Sequence, residues 1–335
     1  MANATPMTID QAADLVNLSI QRIYPKMTNL MEENYKKYFH VESTEDYYDK
    51  DSSVSGFGEA ARMTENSIII SETPVQGFDK TYTQVFFGKM GQFTQYEWKF
   101  GIRKRKLEAV TRDLAKAAMR KRERLTTEYL ENSMAATTSY TVTDDAGNYT
   151  KSVVGGDGVA LINSAHPRED GGSSWSNVIG DGTTSNMDFD SDGLKAAYRT
   201  ASLVRDPKGN LMDINLDTLV VRKGSAIYFL AMEINGALKK NVKPESADSD
   251  GAPFGAFNII ALPYLSTSAA AYWWMFDSSM KGPESGLQFR GSQEIQLDPA
   301  YSDYKTKTIY VSSTVAFDYG HNDGRGWAGS NGTNT

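Results

Sequence analysis

The chain has 335 residues, with 42 acidic side chains against 35 basic ones and a net charge of −7 at neutral pH. A protein built mainly to grip nucleic acid is usually basic, so any contact with nucleic acid is expected to be local. There is no cysteine, which excludes disulfides, thiolate metal sites and cysteine nucleophiles.

Hydrophobic residues make up 40% of the chain and Gly is frequent at 28. That composition suits a folded, strand-rich protein with long loops, and the length suits two or three domains. The first residues, MANATPMTIDQAADL, lack a basic stretch followed by an apolar run, so no secretory signal is expected. The longest apolar stretch, around Tyr272 to Phe276, is too short to cross a bilayer. A soluble protein made in the cytoplasm is expected.

Residues 8 to 23 predict a helix, with Thr8 and Gln11 as a capping box and Pro25 as the stop. A second helical pattern ends near Phe39. Both have little apolar content and should pack on something else. Residues 80–89 and 91–101 are strand-like; in the second, Tyr96, Trp98 and Phe100 alternate with Glu97 and Lys99. Gly88 and Gly91 bracket a short link that predicts a hairpin turn. A two-stranded arm has no core of its own and needs a partner surface.

The strongest helical pattern runs from Lys106 to Met134, with Leu107, Val110, Leu114, Ala118, Leu125 and Tyr129 at helical spacing and no Gly or Pro. It would be about 40 Å long. It is strongly basic in an acidic chain. Two readings stand: a solvated face paired with acidic neighbours, or a cationic surface turned toward nucleic acid or an acidic neighbouring subunit.

Residues 137–157 predict a small β excursion with a turn at DDAGN. Residues 188–204 predict a helix with acids at its start. From Leu216 onward, DTLVVRK, GAFNIIALPYL and AAYWWMFD predict strands, and SAIYFLAMEINGALKK a helix. GLQFRG, EIQLD and TKTIYVSSTVAFDYG predict further strands. HNDGRGWAGSNGTNT has the composition of a disordered tail.

No phosphate-binding loop, dinucleotide fingerprint, HExxH or GxSxG is present. The three histidines stand at 40, 166 and 321. GVALINSAHPRED places His166 three residues after Asn163 and just before Glu169 and Asp170. A catalytic role for His166 and a metal site with Glu169 and Asp170 are both open in principle. Pro167 steers His166 away from a helix, so no helical ligand face exists there. The favoured reading is a loop histidine whose ring hydrogen-bonds backbone and fixes a strand-to-loop corner. DFDSD (188–192) lacks the remaining positions of a calcium loop. No catalytic residue, metal or cofactor is expected.

In order, GFDKTYTQVFFGKMGQFTQYEW, the long helix, DGVALINSAHP with the later Asn177, and DGLKAAYRTASLVRDPKGNLMDINLDTLVV resemble the major capsid protein of tailed bacteriophages, the HK-ninety-seven-type fold. FDYGHNDGRGW resembles the C-terminal signature of its Mu-like head-subunit branch. The resemblance spans nearly the whole chain. It implies an α+β shell fold: an N-terminal arm over 1–50, an extended hairpin or E-loop over 51–105, a peripheral domain with a spine helix over 106–215 and 286–318, an axial domain over 216–285, and a tail over 319–335.

The resemblance further implies roles for particular residues. Asp157, Gly158, Leu161, Ile162, His166 and Pro167 match a structural stretch, so Asn163, His166 and Pro167 would shape a loop. Tyr82, Phe86, Lys89, Phe93, Tyr96 and Trp98 become intersubunit E-loop candidates. Arg112, Lys116, Arg120 and Arg124 form the basic face of the spine, and Asp323, Arg325 and Trp327 the C-terminal signature. The implied function is a major capsid protein that assembles through pentamers and hexamers into an icosahedral head around double-stranded DNA. Implied partners are copies of itself, a separate scaffolding protein, a portal, a decoration protein and DNA held non-specifically, with no membrane and no cofactor. The implied place is the virion capsid, assembled in the host bacterial cytoplasm.

Two departures stand out. KFGIRKRKL follows the second arm strand where relatives carry acidic residues, and no long helical extension precedes residue 8. The alternatives are an encapsulin-like nanocompartment shell around a cargo enzyme, and a hydrolase or binding protein using His166.

Overall fold

The computed structural model describes residues 17–18, 32–54, 56–60, 62–65, 68–69, 71–74, 76–94, 104–134, 138–239, 257–283, 286–303 and 305–333. The two N-terminal helices expected from the sequence fall mostly outside these. What is described there is a helical pair at 17–18 and the short helix α1, Tyr35–Tyr38.

Strand β1 (His40–Ser43) follows α1, then β2 (Tyr48–Val54), β3 (Gln76–Thr83) and β4 (Val85–Thr94). The spine helix α2 spans Lys104–Asn132, close to the expected span. Leu114, Ala115, Leu125, Tyr129 and Leu130 are buried along one side of it, against β4 and a second long strand, β12 (Thr308–His321). β12 pairs antiparallel with β10 (Leu287–Leu297) on one side and with β4 on the other. β1 runs parallel to β10, and β11 (Tyr301–Asp303) pairs with the start of β12, completing a five-stranded sheet. β10 is one strand with register shifts where the sequence predicted two.

The expected hairpin turn at 88–91 is not there. β4 runs unbroken through Gly88 and Gly91 along β12. Gly91 lies under the spine helix, where a Cβ would make ordinary contact with Leu114 Cδ1 at 3.4 Å and Val110 Cγ1 at 3.8 Å. The real arm is the antiparallel pair β2–β3, joined by residues 55–75. The run 80–89 is thus divided between β3 and β4, with Gln84 at the break. Tyr96 and Trp98 lie outside the described residues.

Strands β5 (Ser139–Asp144) and β6 (Gly147–Ser152) form the expected hairpin after the spine. Helix α3 (Ser191–Ser202) begins where Asp190 accepts a hydrogen bond from Gly193 N at 2.7 Å, an N-cap. Strands β7 (Thr218–Arg222), β8 (Asn258–Leu262), β9 (Trp273–Phe276) and β13 (Trp327–Ser330) make a second sheet in the order β13-β9-β7-β8. Helix α4 (Ala226–Lys239) lies on β7 and β8, and α3 on β13. Period-2 alternation divides this sheet. Leu219, Val221, Trp273, Met275 and Ala328 join the core under α3 and α4. Val220, Trp274, Phe276 and Trp327 join the core shared with the spine and the five-stranded sheet.

The C-terminal stretch read as disordered by composition is ordered: β13 is buried throughout. Its small residues allow close packing, because a Cβ on Gly329 would come within 3.0 Å of Trp274 and 2.9 Å of Ile162.

Candidate functional site

His166 is fully buried. Its backbone exchanges two hydrogen bonds with Trp175, of 2.8 and 3.1 Å, and its ring stacks on Trp175 at 4.4 Å. Nδ1 lies 2.7 Å from Asp157 Oδ2, and Nε2 lies 3.1 Å from Asn177 Oδ1. Asn177 also donates from Nδ2 to the carbonyls of Leu161 and Gly324, at 2.7 and 3.3 Å, and accepts from Asn163 N at 2.8 Å. That set of partners fixes which way its amide points. Asn163 Oδ1 in turn accepts from Ala165 N at 2.9 Å, making the turn before Pro167. A fully engaged imidazole between a carboxylate and an amide is the geometry of a fixed corner, held by two side chains and not by the backbone partner expected from the sequence.

Glu169 and Asp170, the acids paired with His166 in the metal reading, point elsewhere. Glu169 accepts from Ser53 Oγ at 3.0 Å and faces Arg325 at 3.8 Å, while Asp170 pairs with Arg168. Among the described residues no group of three or more His, Asp or Glu side chains could hold a metal ion.

The C-terminal signature closes over this corner. Arg325 pairs with Asp323, donates from Nε to Arg205 O at 2.8 Å and lies over the Trp175 ring at 5.6 Å. Trp327 stacks on Phe276 at 4.5 Å. A Cβ on Gly324 would stand 2.7 Å from His166 Cε1 and 2.8 Å from Leu161 O. Two motifs about 150 residues apart in sequence therefore form one buried node.

Next to it lies the root of the arm. Arg290 on β10 is 5% exposed and pairs with Glu42 on β1 and with Asp51 on β2 at 2.9 Å; Asp49 on β2 lies 3.6 Å away. Tyr82 on β3 donates to Asn322, whose amide reaches back to Asp51. Thr83 N donates to Asp318 Oδ2 at 2.8 Å. Lys80 donates to Val154 O at 2.6 Å, and burial pushes its ammonium down to about 8. His321 is bonded through Nδ1 to Tyr129 OH at 2.7 Å, and burial pushes it down to about 3, so it is neutral. The arm is thus clamped at its base to both β10 and β12.

These contacts change the standing of the intersubunit candidates. Tyr82 and Phe93, 0% and 6% exposed, serve their own subunit's interior, because β3 is folded over the sheet and β4 lies under the spine. Phe86 is exposed, and Lys89 is exposed and paired with Asp145 at 2.8 Å. Of the basic spine residues, Arg112 and Arg120 face solvent, Lys116 is half-buried, and Arg124 pairs with Glu128 at 3.2 Å and donates to Thr143 O at 3.0 Å.

The charged residues sequence reading missed lie between Arg120 and Arg124. Arg122 is 2% exposed, pairs with Glu294 at 2.8 Å and Glu33 at 3.3 Å, and lies over Phe289. Glu123 is fully buried and accepts from Tyr35 N at 3.1 Å. Together they moor α1. The only signal was position: 122, 125, 126 and 129 recur at helical spacing on the buried side of the helix.

The family model described as phage capsid protein matches residues 79–329. The chain belongs to that family. It is a major capsid protein that forms a phage head shell, a structural protein and not an enzyme. No curated protein matches it. Among solved structures it is similar to one from Mycobacterium phage Patience, at 11% identity over 95% of this chain and 87% of that chain, with a TM-score of 0.50. It is also similar to one from Microbacterium phage Oxtober96, at 9% identity over 89% and 90%, TM-score 0.49. A third is the capsid of Myoviridae phage XM1, at 10% identity over 88% and 90%, TM-score 0.45. At such identities the likeness speaks for the fold alone, a mixed α+β fold.

Proposed function

We propose that this capsid protein builds an icosahedral head from pentamers and hexamers around double-stranded DNA, and that the β2–β3 arm is its reach onto a neighbouring copy. The observation that carries this is the arm itself. Its root is clamped by Arg290, Tyr82 and Thr83, yet the connection beyond it exposes Phe57, Met63, Ile68 and Ile69 by 63, 57, 90 and 72%. Apolar side chains so fully in water on a well-anchored arm call for a partner surface. The surface candidates move accordingly, from the 82–98 run to the 56–74 connection, with Phe86 retained. The head is the protein's place in the virion, assembled in the host bacterial cytoplasm.

Partners beyond the chain's own copies are a separate scaffolding protein, a portal and a decoration protein. DNA is held by non-specific contact, for which Arg112 and Arg120 are exposed cations on the spine, in keeping with a net charge of −7. The signature at Asp323, Arg325 and Trp327 supports membership of the Mu-like branch.

The test is replacement of Ile68 and Ile69 together by Ser in the full chain. Subunits should fold with unchanged circular dichroism while electron microscopy finds few or no closed shells. Normal shells from this variant would remove the arm from the account.

A further inference from the structure

Helix α4 breaks the rule for a surface helix. Its inner side, with Ile227, Ala231 and Ile234, packs in the core under the four-stranded sheet. Its outer side should be polar. Instead Phe229, Leu230 and Met232 are exposed by 62, 37 and 50% around a single carboxylate, Glu233. A helix that is apolar on both sides is normally covered on both.

A second apolar patch lies at the other end of the same layer. Leu203 and Leu211 are 59% and 61% exposed. Arg205, also exposed, bridges Leu211 through its backbone. Its carbonyl accepts from Arg325 Nε, which holds the patch beside the start of β13. The strand order β13-β9-β7-β8 puts this patch beside β13 and α4 over β7 and β8, two to three strand spacings or about 10–14 Å apart. They cannot cover each other within one copy.

We infer that these patches are the two halves of a head-to-tail contact between copies. The outer side of α4 on one copy seats on the Leu203–Leu211 patch of the next, with Glu233 facing Arg205. Both patches are apolar, and the charges that would meet are opposite, Glu233 on one and Arg205 on the other, with the exposed Asp213 at the edge of the second patch. Pairing α4 with α4 would instead bring two Glu233 carboxylates together. A contact between two different patches repeats around a ring when its rotation closes, as a pentamer or hexamer requires. The inference rests on the capsomer reading above and names the surface that makes the ring.

The absence of native cysteine makes the test clean. Phe229→Cys and Leu211→Cys are introduced singly and together into the full chain, and assembled particles are oxidised and run on denaturing gels without reductant. The double variant should give a ladder ending at pentamer and hexamer, and each single variant should stay monomeric. Closed shells from the double variant with only monomer on the gel would overturn the contact and leave the capsomer reading standing. Covalent dimers from Phe229→Cys alone would overturn the head-to-tail arrangement. If the cysteine variants do not assemble, charge reversal decides: Glu233→Arg and Arg205→Glu should each lower shell yield, and the double reversal should recover it. Singles that assemble as well as the native chain, or a double with no recovery, would refute it. No shells from the native chain would instead count against the capsomer reading itself.

Discussion

Glu123→Gln tests how the N-terminal segment is moored to the spine. Glu123 is fully buried, and burial, opposed by the backbone N–H of Tyr35, raises its carboxyl from 4.5 to about 7. A raised folded-state value means the neutral form is the one preferred in the docked state. The stabilisation is therefore complete below pH 4.5 and lost as pH climbs through 7. A rise of that size corresponds to about 3 kcal/mol between the two limits. Glu33 and Lys37 also act on this carboxyl, Glu33 raising it and Lys37 lowering it. Gln keeps the acceptor for Tyr35 and removes the titration. Amide hydrogen exchange over Tyr35–Phe39, corrected for the intrinsic pH dependence, should show native protection falling between pH 5 and 8 and the variant's staying flat. Equal slopes in the two proteins would refute the mooring.

Gly324→Ala should destabilise the subunit by about 1–3 kcal/mol, since the new methyl meets His166 and the Leu161 carbonyl, a rigid neighbour; thermal unfolding measures it, and an unchanged melting temperature would mean the node is looser than described. His166→Ala leaves Asp157 buried without its imidazole and should lower stability by about 3 kcal/mol and shell yield with it. Arg290→Met frees the arm root from Asp51 and Glu42, so proteolysis between residues 43 and 76 should speed up in the free subunit; an unaltered cleavage rate would contradict the clamp.

Much of the layout was legible because it rests on local pattern. The spine, α3, α4, β7, β8 and β9 follow from uninterrupted periodicity, and the resemblance placed them in order. The failures share a cause. Gly88 and Gly91 look like turn residues when only neighbouring sequence is considered, but the long pairing of β4 with the distant strand β12 carries the chain straight through both. The C-terminal glycines misled in the same way, with Gly329 lying under Trp274 and Ile162. His166 was recognisable as a corner residue from Pro167 and Asn163. Its partners Asp157 and Asn177 could be named as part of the motif, but the closing role of Gly324 and Arg325 depends on long-range packing. Arg122 and Glu123 were hidden inside a basic run, where composition suggests solvent and only the helix's sheet-facing side tells otherwise.

The most direct test of the central claim is electron microscopy of the purified full-length protein, alone and with a co-expressed scaffolding protein, over a range of ionic strength. Closed shells of uniform diameter are predicted, with yields that fall as salt screens the exposed ion pairs. A folded chain that stays monomeric under every one of these conditions would contradict the account.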